Sequence, residues 1–184
     1  MRLTRLLEQL RAYQPADSSD AGYVARMIEL ALDAAACERS NFTPGHFTAS
    51  AFVLNPERQD LVMIHHKKLG IWVQPGGHVE ASDPDLMSAA RREVLEEVGL
   101  GELESFASGD SALFDLDIHQ IPARKAEPEH EHFDVRFAFV AGAQSLVASD
   151  EVADLRWVPL SQVERLGTDQ SVLRAVNKLR RLLG

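Results

Sequence analysis

Leu3, Leu6, Leu7 and Leu10 recur at i, i+3, i+4 and i+7, the spacing of one face of an amphipathic helix, which must stop before Pro15. The polar run PADSSDAG supplies capping residues. Val24, Ile28 and Leu32 then predict a second helix over about 22–37, broken by ERSNFTPG. Two such helices are too small to form a core of their own, so residues 1–44 read as a helical extension on a main domain spanning 45–184. From His46 the period drops to two. HFTASAFVL and LVMIHH, separated by the turn-like NPERQD, predict a hairpin. A short strand around 71–73 leads into a sharp Pro75-Gly76-Gly77 turn. Leu86, Ala90 and Val94 mark a helix over 84–98, with Asp83 as its cap, Pro84 in its first turn and Gly99 as its stop. Strands follow near 112–118 and 133–140, joined by HQIPARKAEPEHEH. DLRWVPL is a last strand, and SQVERL and 171–183 close the chain as helices. This order predicts an α/β fold with a central mixed sheet and helices on both faces.

Composition narrows the chemistry. The 184 residues suit one domain with added structure, and 45% hydrophobic with 26% charged residues is an ordinary globular balance. A formal charge of −9 argues against general affinity for nucleic-acid backbones, which need clustered Lys and Arg. It leaves room for a small anionic substrate, because a bound metal ion inverts the local field. The single cysteine, Cys37, excludes an intramolecular disulfide and suits a reducing cytoplasm. It sits in the small apolar run ALDAAAC, which predicts an inert buried thiol. The amino-terminal leucines are interrupted by Arg, Glu and Gln, so no signal peptide is expected, nor any span of the ~20 apolar residues that a bilayer needs.

RREVLEEVGL poses the chemical question. Glu93, Glu96 and Glu97 stand three and four residues apart and so share one side of a helix. There they repel by about 0.2–0.5 kcal/mol per exposed pair. A hard divalent cation, Mg²⁺ or Mn²⁺, wants oxygen ligands of this kind and removes the repulsion. The alternative is a solvated acidic face, but Arg92 beside the acids and the Gly76-Gly77 approach to the same helix favour a ligand site.

GGHVEASDPDLMSAARREVLEEVGL resembles the signature of the Nudix hydrolase superfamily. Gly77 matches its opening glycine, and Arg92, Glu93, Val94, Glu96, Glu97, Gly99 and Leu100 match its closing half. Asp83 stands where the first Glu belongs, and the interval from there to Arg92 is one residue longer, which places an insertion at Pro84-Asp85. The resemblance implies a Nudix-like α/β/α sandwich and pyrophosphate-bond hydrolysis in a nucleoside diphosphate linked to another group. It also implies that Glu93, Glu96, Glu97 and the Gly77 backbone carbonyl bind Mg²⁺ or Mn²⁺, and that Arg92 orients a glutamate. Metals in such a site neutralise phosphate oxygens and activate water. Glu96, Glu97 and Arg92 are thus expected in the catalytic machinery. The fold resemblance spans roughly 46–160; only Gly77–Leu100 has the detail of a motif.

In this family the general base moves between loops. Glu127, Glu129, Glu131 and Glu151 are candidates, with Glu131 put forward. His130, His132 and Asp134 alternate in EPEHEHFDVRF and share a face if a strand has begun. They are expected to line the substrate cleft opposite the carboxylate helix; a polar loop, or a separate transition-metal site, are the other readings. His65, His66, His78, Lys67 and Lys68 flank the glycine segment and offer phosphate contacts, while Trp72 and Trp157 more naturally fill core or cleft wall.

The reading is a metal-dependent phosphoanhydride hydrolase of the cytoplasm acting on a small phosphorylated substrate, with no nucleic-acid or membrane partner. A homodimer is possible, through the basic tail or the amino-terminal helices, which could instead cover the cleft. An isomerase on the same fold needs a cysteine in the site, and Cys37 precedes the motif. The second alternative is an inactive nucleotide-sensing module; the intact glutamates argue against it.

Overall fold

The computed structural model describes residues 2–106, 113–124, 127–150 and 152–184. The elements in chain order are α1 (Arg2–Ala12), α2 (Ser18–Leu30), β1 (Gly45–Leu54), β2 (Asp60–His66), β3 (Trp72–Val73), β4 (Gly76–His78), α3 (Leu86–Val98), β5 (Leu103–Ser105), β6 (Asp115–Ile121), β7 (His130–Ala141), β8 (Val152–Pro159), a 3-10 helix (Leu160–Leu166) and α4 (Gln170–Leu183). The hydrogen-bonded strand order is β3-β2-β1-β7-β5, with β4 on β1, β6 on β7 and β8 on β2. Among the described residues no helix is long and apolar enough to cross a membrane.

The chain divides into two compact units, and β1, β4, α3 and β7 each run from one into the other. The first unit holds 1–50, 77–90 and 109–137. Here α1 packs on α2, and α2 on β6. Asp17 caps α2 by accepting from the Asp20 N–H at 2.9 Å. β6 and β7 pair antiparallel from Asp115↔Arg136 to Ile121↔His130. Leu6, Leu10, Met27, Phe47, Leu116 and Phe133 are among its large buried side chains. Cys37 is buried as expected, and burial pushes its thiol pKa up, which keeps it protonated and inert.

The second helix differs from the periodicity reading. It ends at Leu30, and residues beyond it turn. Its buried apolar residues are Met27 and Leu30 rather than Val24, Ile28 and Leu32, and Leu32 is 71% exposed. Leu32→Gln is therefore expected to change stability by no more than about 0.5 kcal/mol, as surface substitutions do. Urea unfolding checks this; a loss near 2 kcal/mol would restore the longer helix.

The second unit holds 51–76, 91–108 and 138–184. The expected hairpin forms, with Leu54 opposite Leu61. Its turn is held by the Asn55 side-chain oxygen, which accepts from the N–H groups of Gln59 (2.8 Å) and Asp60 (3.0 Å). β2 then pairs with β3 and along its whole length with β8. The Pro-Gly-Gly turn is instead extended backbone leading into β4, and the Pro75 carbonyl accepts from Ala51 N–H at 2.9 Å. A strand missed in the periodicity, β5, pairs with β7 through Leu103↔Ala141. Three residues carry too little alternation to be read. α4 buries Val172, Ala175, Val176 and Leu179.

Candidate functional site

α3 begins two residues later than its sequence suggests. Asp85, not Asp83, caps it: its carboxylate accepts from the Ser88 N–H at 2.8 Å. Asp83 is buried and its carboxylate accepts from the Glu80 N–H at 2.8 Å, closing the loop before the helix. α1 clasps the same loop, with Arg2 donating to the Glu80 carbonyl at 2.7 Å and Arg5 paired to Asp85 at 2.8 Å. Leu86, Ala90 and Val94 are buried as the stripe predicted. Gly99, at φ 76°, ends the helix in the left-handed conformation that glycine adopts without strain.

Arg92, Glu93, Glu96 and Glu97 lie in the second unit, on the last turns of α3. Arg92 Nη1 lies 2.9 Å from Glu93 Oε1 and 3.0 Å from Glu96 Oε2, so one guanidinium offsets the repulsion of two carboxylates. Glu97 is 8% exposed and its Oε2 accepts from the Gly76 N–H at 2.9 Å. Its backbone carbonyl accepts from Ser149 N–H, and that of Val98 from Val147 N–H, so the loop after β7 holds this helix end. The glycine that touches a motif glutamate is thus Gly76, one residue before the one the motif singles out; Gly77 lies in β4. The donor set is all oxygen and lies at i, i+3 and i+4, with Glu96 open to solvent. That chemistry suits a hard divalent cation.

The remaining candidates separate. Glu131 sits in β7 with its carboxylate paired to Arg26, and Glu127 pairs with Arg39 at 2.9 Å. Glu129 is exposed, and Glu151 lies outside the described residues. The His130-His132-Asp134 row also splits. Asp134 is buried against Arg136 (2.9 Å) and accepts from the hydroxyls of Thr48 (3.1 Å) and Ser50 (2.8 Å). His130 and His132 instead pack with His46. The Arg136 network was missed, although its signal was present: polar residues alternate in both HFTAS and HEHFDVR.

Near the glycine segment, His66 accepts from the Lys68 and Leu69 N–H groups at 3.2 and 3.3 Å, a turn-closing role. Lys67 donates to the Asp150 carbonyl. Trp72 lies under the Arg156 guanidinium, 4.4 Å from the ring centroid, and edge-on to His65.

Known proteins place this arrangement. Two solved structures share the fold. One is a NUDIX family hydrolase from Clostridium perfringens, with TM-score 0.56 and 24% identity over 74% of this chain and 97% of that one. The other is the NUDIX domain of Shewanella oneidensis NrtR, complexed with ADP ribose, with TM-score 0.56 and 18% identity over 75% and 88%. The fold is therefore the Nudix α/β fold. A family model described as NUDIX domain matches residues 44–178, and the chain belongs to that family. A Bacillus subtilis (strain 168) protein that carries a provisional 8-oxo-dGTP diphosphatase name is 32% identical over 114 residues, 61% of this chain. The chain spans 66% of that relative, just under two thirds of its length.

Proposed function

We propose that the chain is a Nudix pyrophosphohydrolase that cleaves a phosphoanhydride bond in a nucleoside diphosphate derivative. The observation that carries the reading is Glu97: a carboxylate nine-tenths buried, held by the Gly76 N–H, on a helix turn that also bears Glu93 and Glu96. Burying a carboxylate is costly unless it is compensated, and a divalent cation supplies compensation that suits an all-oxygen donor set. Glu93, Glu96 and Glu97 would hold Mg²⁺ or Mn²⁺. When bound, such a cation supplies charge neutralisation at phosphate oxygens and Lewis acidity.

The protein's own groups do the rest. Gly76 N–H keeps the Glu97 carboxylate in one orientation, and Arg92 holds Glu93 and Glu96 near each other before a cation arrives. The Arg26 ion pair weakens the case for Glu131 as general base, because a base must be free to take a proton from water. The proposed catalytic domain is 45–184, with 1–44 as an extension whose α1 braces the loop entering α3. A cytoplasmic location, which the lone buried cysteine suits, and a homodimer through the helical extension or α4 belong to the same proposal.

The ADP ribose bound by the NrtR domain and the name of the B. subtilis relative define two arms of the test, a nucleotide sugar and an oxidised dNTP. Wild-type protein is screened for phosphate or pyrophosphate release with Mg²⁺ and then Mn²⁺, across nucleoside diphosphate derivatives and nucleoside triphosphates. Metal-dependent release from at least one class is expected. Nucleotide binding without release across the panel would replace the enzyme with a sensing module.

A further inference from the structure

The proposed hydrolysis leaves a cluster of histidines in the first unit without a role. β1 presents His46, β4 His78, and β7 His130 and His132. The His46 ring centroid lies 5.1 Å from that of His130 and 4.8 Å from that of His132, with 5.3 Å between the latter two. His78 stands 5.1 Å from His46 and 5.2 Å from His132. His46 and His130 are buried, at 1% and 5% exposure.

We propose that His46, His130 and His132 form a three-nitrogen site for a borderline divalent cation, Zn²⁺ foremost, chemically separate from the oxygen ligands of α3. Each residue offers one ligand atom, and the three atoms lie within 4.8 Å of one another. Tetrahedral Zn–N bonds of about 2.0–2.1 Å put ligand nitrogens roughly 3.3 Å apart, so the rings close by no more than about 1.5 Å on loading.

Two further observations point the same way. The first is tautomer control. His46 Nδ1 lies 3.0 Å from the Asn41 carbonyl and His130 Nδ1 lies 2.8 Å from the Pro128 carbonyl. A carbonyl can only accept, so each Nδ1 donates to it, and in the neutral ring the lone pair then falls on Nε2. Metal-ligating histidines are oriented by backbone bonds of this kind. The second is that His46 Nε2 is buried with no hydrogen-bond partner among the described residues. Histidines placed for packing alone leave that lone pair uncompensated, and a cation satisfies it.

The same features disfavour an anion. Arg39, the one cationic side chain lining the cavity among the described residues, is paired with Glu127. His119 is directed to Asp117 at 3.0 Å and stays outside the donor set. A cavity of about 60 Å³ among these histidines leaves space for the ion and one water, with His78 adjoining the fourth position. Imidazole nitrogens favour Zn²⁺ over Mg²⁺, which selects oxygen.

The test uses the full chain, stripped with a chelator, then dialysed against Zn²⁺ for elemental analysis and loaded with Co²⁺ for its visible spectrum. Wild type and Glu97→Gln are expected to bind one Zn²⁺ per chain. His46→Gln and His130→Phe, the latter keeping a ring in place, are expected to weaken binding at least about tenfold with unchanged circular dichroism. Unchanged Zn²⁺ binding in folded histidine variants, or its loss in Glu97→Gln, overturns the proposal. If both histidine variants misfold, the wild-type Co²⁺ spectrum decides. Intense four-coordinate nitrogen bands support the site, and the weak spectrum of an octahedral oxygen environment overturns it.

Discussion

Glu97→Gln is expected to lower metal-dependent kcat/KM by at least about 10–100-fold, the loss that removal of a mere outer-shell support produces at a metal site. The substitution is nearly isosteric, and the amide oxygen can still accept from the Gly76 N–H that Glu97 Oε2 meets at 2.9 Å. What changes is charge: an amide nitrogen stands where a carboxylate oxygen would ligate. The fold should therefore survive while the demand for cation rises. Turnover measured across an Mg²⁺ titration, beside a thermal melt, separates the two. A wild-type melt with greatly reduced turnover is the expected pair of results, and near wild-type turnover would sink the assignment of Glu97.

The largest expected loss of stability lies elsewhere, at Arg136. Its side chain is 2% exposed and meets Asp134 at 2.9 Å, Asp117 at 3.3 Å and Asp115 at 3.4 Å. Burial alone would push the guanidinium towards losing its proton, but the three carboxylates more than reverse this and keep it charged. Arg136→Met keeps much of the volume and leaves three buried acids facing one another without the guanidinium between them. Breaking a buried ion pair from one side costs about 3–5 kcal/mol, out of the 5–15 kcal/mol or so that holds a typical domain. At roughly 2–4 °C per kcal/mol for a chain of this size, the melting temperature should fall by about 6–20 °C. Adding Asp134→Asn should return part of the loss, since it removes one of the repelling charges. A single variant that melts like wild type would mean that water or protons already neutralise the acids.

Both predictions bear on how much the chain's pattern discloses. The carboxylate helix was legible because its acids are local. Residues three and four apart on a helix must meet, whatever surrounds them. The apolar stripe of α3 and the hairpin turn at Asn55 were legible for the same reason. Errors arose where a local rule had two solutions. Asp83 and Asp85 both suit a helix cap, and only the loop's bond from Glu80 N–H to Asp83 decides between them. In α2, Val24, Ile28 and Leu32 and the set Met27 and Leu30 are both helical faces. The choice fell to whichever face met a neighbour, and Leu32 lay beyond the helix end.

The sequence by itself determined the family, the α3 glutamates, the inert cysteine and most strand positions, because each depends on spacing within about one turn or one hairpin. Tertiary structure alone decided what joins across strands. It carried Asp134 away from His130 and His132 into the Arg136 network, although all four share one face of β7. It also brought His46 to His130 and His132 from more than eighty positions away. Period-two alternation tells which face of a strand a residue takes, but not which strand will lie beside it. That neighbour is set by sheet pairing, a long-range choice no single segment encodes.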